Sequence, residues 1–213
     1  MAEKEMSADK AAADMKYLLN RGYNRNTSLN LVVNRYHLDP NERNILRRYV
    51  FSEHEIRAHK SKLITPDKIK GNTLVVDGFN VLITVESINE NKNLVLGMDS
   101  ILRDSSGVFS NYRFDSKTKK ALKQITDFLK KHNPGKVLFI FDSQISKSGQ
   151  LAAYVRKKLD EAGVSGDAKT SKNADQQIIN INEITASSDS HIIESVDEIV
   201  DIPGHINTMF LFD

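Results

Sequence analysis

The sequence contains no cysteine and no tryptophan. Without thiols it can carry neither a disulfide framework nor a thiolate-built zinc cage, and thiol nucleophilic catalysis is excluded. No apolar run approaches the roughly 18–20 residues that a bilayer span needs. The amino-terminal stretch MAEKEMSADK is too acidic and too polar for a signal peptide, so the expectation is a cytoplasmic protein away from membranes. Motifs for nucleotide or zinc chemistry are missing as well: there is no GxxxxGK[ST] and no HExxH. The six histidines are scattered without paired spacing, and none is assigned to catalysis. No internal repeat or low-complexity tract is present.

What is there is an ordinary globular composition. Of 213 residues, 39% are hydrophobic and 27% charged, which allows one domain or two small ones with a sizeable core. The net charge of +2 hides an asymmetry. Residues 1–70 hold 14 Lys/Arg against 9 Asp/Glu, whereas residues 71–213 hold 16 against 19. A basic first piece beside a mildly acidic body suggests a polyanion surface next to a body that holds cations, with chance as the alternative.

The first piece reads as helical. Ala11, Met15, Leu18 and Leu19 form one stripe, which Gly22 ends. Leu29, Val32, Val33 and Tyr36 form a second. Asp39-Pro40-Asn41-Glu42 and Ser52-Glu53-His54-Glu55 are capping boxes opening two more helices, the first carrying Ile45, Leu46, Tyr49 and Val50. A basic helical module over residues 1–64 is therefore expected. Its polar side carries Arg43, Arg47 and Arg48, whose planar guanidinium forks suit phosphate. A solvated helix face would look the same.

Character changes near Thr65-Pro66. From residue 71 onward, apolar β-branched runs alternate with helical patterns: Thr73–Asp77 and Val137–Phe141 as buried strands, Lys117–Lys131, Ser148–Ala162 and Ala174–Ile181 as helices. Ile184–Ser188 reads as a short strand, Ile192–Ser195 as a helical turn, and Glu198–Ile202 as a last strand. The expected class is α/β: a Rossmann-like, mainly parallel sheet with helices on both faces, over residues 71–213, preceded by the all-α module. Asn89–Phe114 is the least regular segment, and so long an insertion in an α/β domain is often functional.

In such sheets ligands gather outside the carboxyl ends of the strands. Asp77 and Asp142 each close an apolar run, Asp189 follows another, and Asp175 opens a helix. Carboxylates collected at one edge repel one another unless a cation neutralises them, and hard oxygen donors suit Mg²⁺ or Mn²⁺. The expectation is that Asp77, Asp142 and Asp175 converge within one ion's reach, with Asp189 close by. The plainer role for a single Asp after a strand is to cap a helix.

These residues carry a resemblance. Val75-Val-Asp-Gly-Phe-Asn80-Val-Leu resembles the opening strand motif of the PIN/NYN nuclease superfamily, and Phe139-Ile-Phe-Asp142, Lys172-Asn-Ala-Asp175 and Ser187-Ser-Asp189 resemble its later acidic positions, in order. Leu18-Leu-Asn-Arg-Gly-Tyr23, Asp77-Gly-Phe-Asn80-Val-Leu-Ile-Thr-Val-Glu86-Ser and Gly97-Met-Asp-Ser-Ile-Leu-Arg-Asp104 are also similar to a prokaryotic, mainly archaeal family that joins a helical domain of unknown function to a PIN-like domain. The resemblance implies metal-dependent hydrolysis of phosphodiester bonds, most often in RNA. Asp77 and Asp142 would ligate Mg²⁺ or Mn²⁺, Asp175 and Asp189 would be ligands or water-mediated partners, and Asn80 would orient a water or a phosphate oxygen. Capping a helix is the other role open to Asn80.

The middle departs from that superfamily's pattern. Its helix-borne acidic residue has three candidates here, Glu86, Asp99 and Asp104, with Arg103 and Arg113 nearby as phosphate contacts; a structural salt-bridge cluster is the alternative. Three classes stay open: an RNA-cleaving nuclease, a non-catalytic RNA or ribonucleoprotein binder, and a toxin-like nuclease with an inhibitory partner. Oligomeric state is left open, a homodimer included.

Overall fold

The computed structural model describes the backbone of residues 2–106 and 112–207, with side chains from residue 8. Residues 107–111 of the irregular insertion and 208–213 of the expected second domain lie outside the described residues. The chain divides into two compact units: Met1–Ser61 with Asn93–Gly107, and Lys62–Lys92 with Val108–Asp213. Along the chain run α1 (Ala2–Asn20), α2 (Arg25–Tyr36), α3 (Pro40–Tyr49), α4 (Glu53–Lys62), a 3₁₀ turn (Pro66–Ile69), β1 (Thr73–Asp77), α5 (Gly78–Glu90), β2 (Leu94–Leu96) and β3 (Leu102–Asp104). Then follow α6 (Ser116–His132), β4 (Lys136–Asp142), α7 (Ser148–Glu161), β5 (Gly166–Ser171), α8 (Ala174–Ile181), β6 (Ile184–Ala186), α9 (Ser190–Ser195) and α10 (Ile202–Ile206). No described helix is long and apolar enough to cross a membrane.

The first unit is an all-α segment with one hairpin. Ala11, Met15 and Leu19 of α1 pack with Leu29 and Val32 of α2 and with Leu46 and Val50 around α3. Ile45 and Tyr49 instead stay 38% and 37% exposed. The starts are set by chemistry legible in the chain. Asp39 accepts from the N–H groups of Asn41 and Glu42, and Glu42 reaches back to the Asp39 N–H. Ser52 and Glu55 do the same for α4. The hairpin of β2 and β3 was the irregular segment of the sequence. Its strands are three residues each, too short to stand alone, so it leans on α3, where the Met98 N–H donates to the Tyr49 carbonyl.

The second unit is built on a four-stranded parallel sheet in the order β5-β4-β1-β6. Leu74 and Val76 of β1 and Val137, Phe139 and Phe141 of β4 share one apolar cluster with α5, α6 and α7. Val75 and Ile140, one residue out of step, are equally buried but face the other way, as the two-residue period of a strand demands. Helix α8 packs over β1, β4 and β5. The α/β class with a helix-flanked parallel sheet is thus what the alternation implied. Asn91, Asn133 and Asn182 end α5, α6 and α8 in the left-handed conformation that asparagine tolerates.

Two elements differ from the expectation. Gly166–Ser171 is an edge strand on β4 that the polar sequence did not announce. The expected last strand, Glu198–Ile202, shrinks to single bridges from Ile199 to Leu63 and Thr185. Ile202 instead opens α10, because Pro203 has a fixed φ and no N–H to donate to a ladder, while Asp201 caps the turn through the Gly204 N–H.

Candidate functional site

Strands β1, β4 and β5 follow one another across the sheet in one direction, and β6 then returns to the far side of β1. The crevice between the carboxyl ends of β1 and β6 is therefore the point where strand order reverses, the ordinary ligand position of an open α/β sheet. Asp77 stands there. It occupies the N-cap position of α5 without capping it. Its Oδ2 instead accepts from the Ser187 hydroxyl at 2.8 Å, just past the end of β6. The Ser187 hydroxyl also accepts from the Asp189 N–H at 3.1 Å.

Asn80, one turn into α5, is buried. Its Oδ1 accepts from both the N–H and the hydroxyl of Ser188 at 2.9 Å. Of its two expected roles, helix capping is not the one adopted: the side chain ties the first turn of α5 to the loop after β6. Gly78 lets that turn sit low, since a Cβ there would collide with the Phe141 ring, which also packs edge-on against Phe79. In the sequence Ser187 and Ser188 stand out only as neighbours of Asp189, because their contacts depend on a pairing of strands 110 residues apart.

The other carboxylates border the same edge. Asp142 ends β4, and its Oδ1 accepts from the Gln144 N–H at 2.8 Å. Asp175 lies in the first turn of α8 after β5, exposed. Asp189 caps α9 through the His191 N–H at 2.9 Å, so the capping role read for such residues is real here. Burial pushes the Asp77 carboxyl up to about 7, and the charges of Asp189 and Asp175 add to that, while the Ser187 hydrogen bond works against it. Although the residue is open to solvent, the partial desolvation of its carboxyl raises Asp175 as well, followed by the charge of Asp189, with Asp142 adding to the rise and His191 opposing it. Asp77, Asp175 and Asp189 thus feel one another's charge, and Asp142 acts on Asp175. Among the described residues, however, no three His, Asp or Glu side chains stand close enough to hold one ion, so the expected convergence of three carboxylates on a single cation is absent from this arrangement.

The donor chemistry nevertheless fits a hard cation. Mg²⁺ keeps several waters and is commonly held by only one or two carboxylates, which a looser edge of this kind can supply.

The candidates from the middle of the chain lie in other networks. Glu86 is nine residues beyond Asp77, roughly 13 Å along the helix at 1.5 Å per residue. It accepts from the Tyr112 hydroxyl at 2.7 Å, and burial raises its carboxyl. Asp99 and Arg103 belong to the first unit and are fully buried there, the carboxylate gripping the guanidinium at 2.6 and 2.7 Å and His59 Nδ1 at 2.7 Å. Burial alone would raise Asp99, but Arg103 and His59 overcome it and hold its carboxyl at about 2. Phe51 covers the group, its ring under the Arg103 guanidinium and edge-on to His59.

Arg103 is thus a correction to the phosphate-contact reading. A guanidinium that is 1% exposed and locked on a carboxylate does not reach a solvent-borne phosphate. The salt-bridge alternative describes it. Asp104 accepts from the N–H and hydroxyl of Ser106. Arg47 and Arg113 are exposed, Arg48 is half-buried, and half-buried Arg43 donates to Asn30 at 2.9 Å.

A family model described as a domain of unknown function, DUF5616, matches residues 66–205. The chain belongs to the DUF5616 family. A second model, for a protein of unknown function, DUF434, matches residues 9–62. An uncharacterised protein of Methanocaldococcus jannaschii is 39% identical over 199 residues, covering 92% of this chain and 95% of that protein. No solved structure matches the chain. Asp77, Asn80, Asp142, Asp175 and the Ser187–Asp189 loop all fall inside the DUF5616 segment, and Arg43, Arg47 and Arg48 inside the DUF434 segment.

Proposed function

We propose that this DUF5616 protein is a metal-dependent nuclease that hydrolyses phosphodiester bonds in cytoplasmic RNA, using the carboxyl edge of its sheet. The observation that carries the reading is Asp77: a carboxylate at the end of an interior strand, at the strand-order reversal, made costly to ionise by burial and by two acidic neighbours. Such a group is stable as an anion when a cation neutralises it. A bound Mg²⁺ or Mn²⁺ would supply charge stabilisation at the phosphodiester and lower the pKa of water for in-line attack.

The chain's own residues do the rest. Ser187 fixes the orientation of the Asp77 carboxylate, and Asn80 holds the Ser187–Asp189 loop against α5 through Ser188. Preorganisation of this kind leaves less to rearrange when the substrate arrives. Similarity to the PIN/NYN pattern supports the same reading.

The test is Mn²⁺-dependent cleavage of a mixed RNA pool by wild type and by Asp142→Asn. Cleavage that requires the metal and disappears in the variant supports the proposal; no cleavage of any RNA by folded, metal-supplied wild type refutes it. The second reading, a non-catalytic RNA binder, is favoured by the loose spacing of the carboxylates. RNA binding that is indifferent to metal and to Asp142→Asn, without cleavage, would establish it.

A further inference from the structure

Every large apolar side chain that stays well exposed among the described residues belongs to the first unit: Tyr17, Tyr23, Leu31, Ile45, Tyr49 and Leu96. The two most exposed tyrosines share one place. Tyr17 is 56% exposed on the last turns of α1, and Tyr23 is 57% exposed just after it. The link between them is a reversal in which the Gly22 N–H donates to the Leu19 carbonyl and the Tyr23 N–H to that of Leu18, with Gly22 at φ +80°. The Tyr23 backbone is thereby folded back onto residue 18, at the end of α1 that carries Tyr17.

Arg21, in the same reversal, lays its guanidinium over one of the two rings, 4.6 Å from the centre of Tyr17. Basic groups surround this end of α1. Lys16 pairs with Glu53, and Lys16, Arg57 and Lys60 together hold the Glu53 carboxyl below its usual range, the Lys16 hydrogen bond contributing most. The acidic group of the patch is therefore already neutralised.

Tyrosine rather than leucine, an arginine laid over a ring, and excess positive charge together form a surface with π-faces for bases and cations for phosphates. We infer that Tyr17, Arg21 and Tyr23 form a stacking site for unpaired bases of a single-stranded nucleic acid. Duplex nucleic acid hides its base faces, so the site discriminates by strandedness and tolerates sequence. The inference deepens the nucleic-acid reading above and rests on it for the choice of partner.

The experiment uses the full chain in EDTA, which separates binding from cleavage. Fluorescence anisotropy is read with a short labelled oligouridylate, the matching oligothymidylate and a blunt RNA duplex of the same length. Tyr17→Ala and Tyr23→Ala should each weaken oligouridylate binding about ten-fold while Tyr17→Phe stays close to wild type, and the duplex should compete poorly. The oligothymidylate arm tells whether the strand is RNA or DNA. Because both side chains are exposed, unchanged circular dichroism should accompany the losses.

Wild-type affinity in both alanine variants, or equal binding of duplex, overturns the inference and assigns the surface to a protein partner. Its failure is distinguishable from that of the nuclease reading. Tyrosine-dependent binding without any Mn²⁺-driven cleavage keeps the inference and loses the nuclease; cleavage with tyrosine-independent binding does the reverse.

Discussion

Asp77→Asn should stabilise the metal-free protein, and the gain should grow with pH. An ordinary unfolded aspartate titrates near 3.8, whereas burial, with the charges of Asp189 and Asp175, lifts the folded carboxyl to about 7. Between those values the native state holds a proton that the unfolded chain has lost. Stability therefore falls as pH rises through that window and stays lower above it. At 1.36 kcal/mol per unit, the shift corresponds to a ceiling of about 4 kcal/mol. Asp77 keeps a partial opening to water, and solvent screening through it brings the expected gain to about 2 kcal/mol. The amide preserves the shape and can still accept from Ser187. For a chain of this length, that gain corresponds to roughly 4–8 °C in Tm. The assay is thermal unfolding of both proteins in EDTA at about pH 4.5 and about pH 8. A difference that opens with pH is expected; parallel pH profiles, or a variant less stable than wild type at the higher pH, would refute the electrostatic argument. Added Mn²⁺ should raise the wild-type Tm and leave the variant unmoved, because a ligand that binds only the native state stabilises it.

Gly78→Ala should cost roughly 1–3 kcal/mol in urea unfolding, since the new methyl must displace the Phe141 ring beneath the first turn of α5; a neutral result would mean the ring moves freely. Asn80→Ala removes the acceptor for two buried donors on Ser188, so about 1–3 kcal/mol of stability should go, with nuclease activity weakened but not abolished. Asp99→Asn leaves Arg103 buried without its counter-charge and should lower stability by about 3–5 kcal/mol. Full wild-type stability in that variant would show that the Arg103 guanidinium escapes to water.

Legibility in the sequence followed burial. Thr73–Asp77 and Val137–Phe141 were readable because a strand covered on both faces is apolar throughout, and the aspartate that ends each run marks where the sheet meets water. Gly166–Ser171 was not readable. As an edge strand it buries only Ala168, and its pairing rests on backbone groups that every sequence has. Asp77 and Asp142 could be placed at one edge because parallel strands end together. The Ser187 and Ser188 contacts could not, since a serine becomes a site residue only through its neighbour across β1 and β6. Arg103 shows the same limit from the other side: its residue type suggested a surface phosphate contact, while its burial depends on the nearby Asp99 together with His59 and Phe51, drawn from a distant part of the chain.

The hairpin of β2 and β3 also fixes an order of events during synthesis. The first unit is discontinuous in sequence: its four helices are complete by residue 62, but Asp99 and Arg103 arrive about forty residues later, after β1 and α5 of the other unit. At translation rates of about 5–20 residues per second, His59 and Phe51 wait roughly 2–10 s before the groups that bury them leave the ribosome. The nascent helices therefore spend that interval with an unfinished interior, and although they are made first they cannot complete their unit until the hairpin that belongs to it has been made.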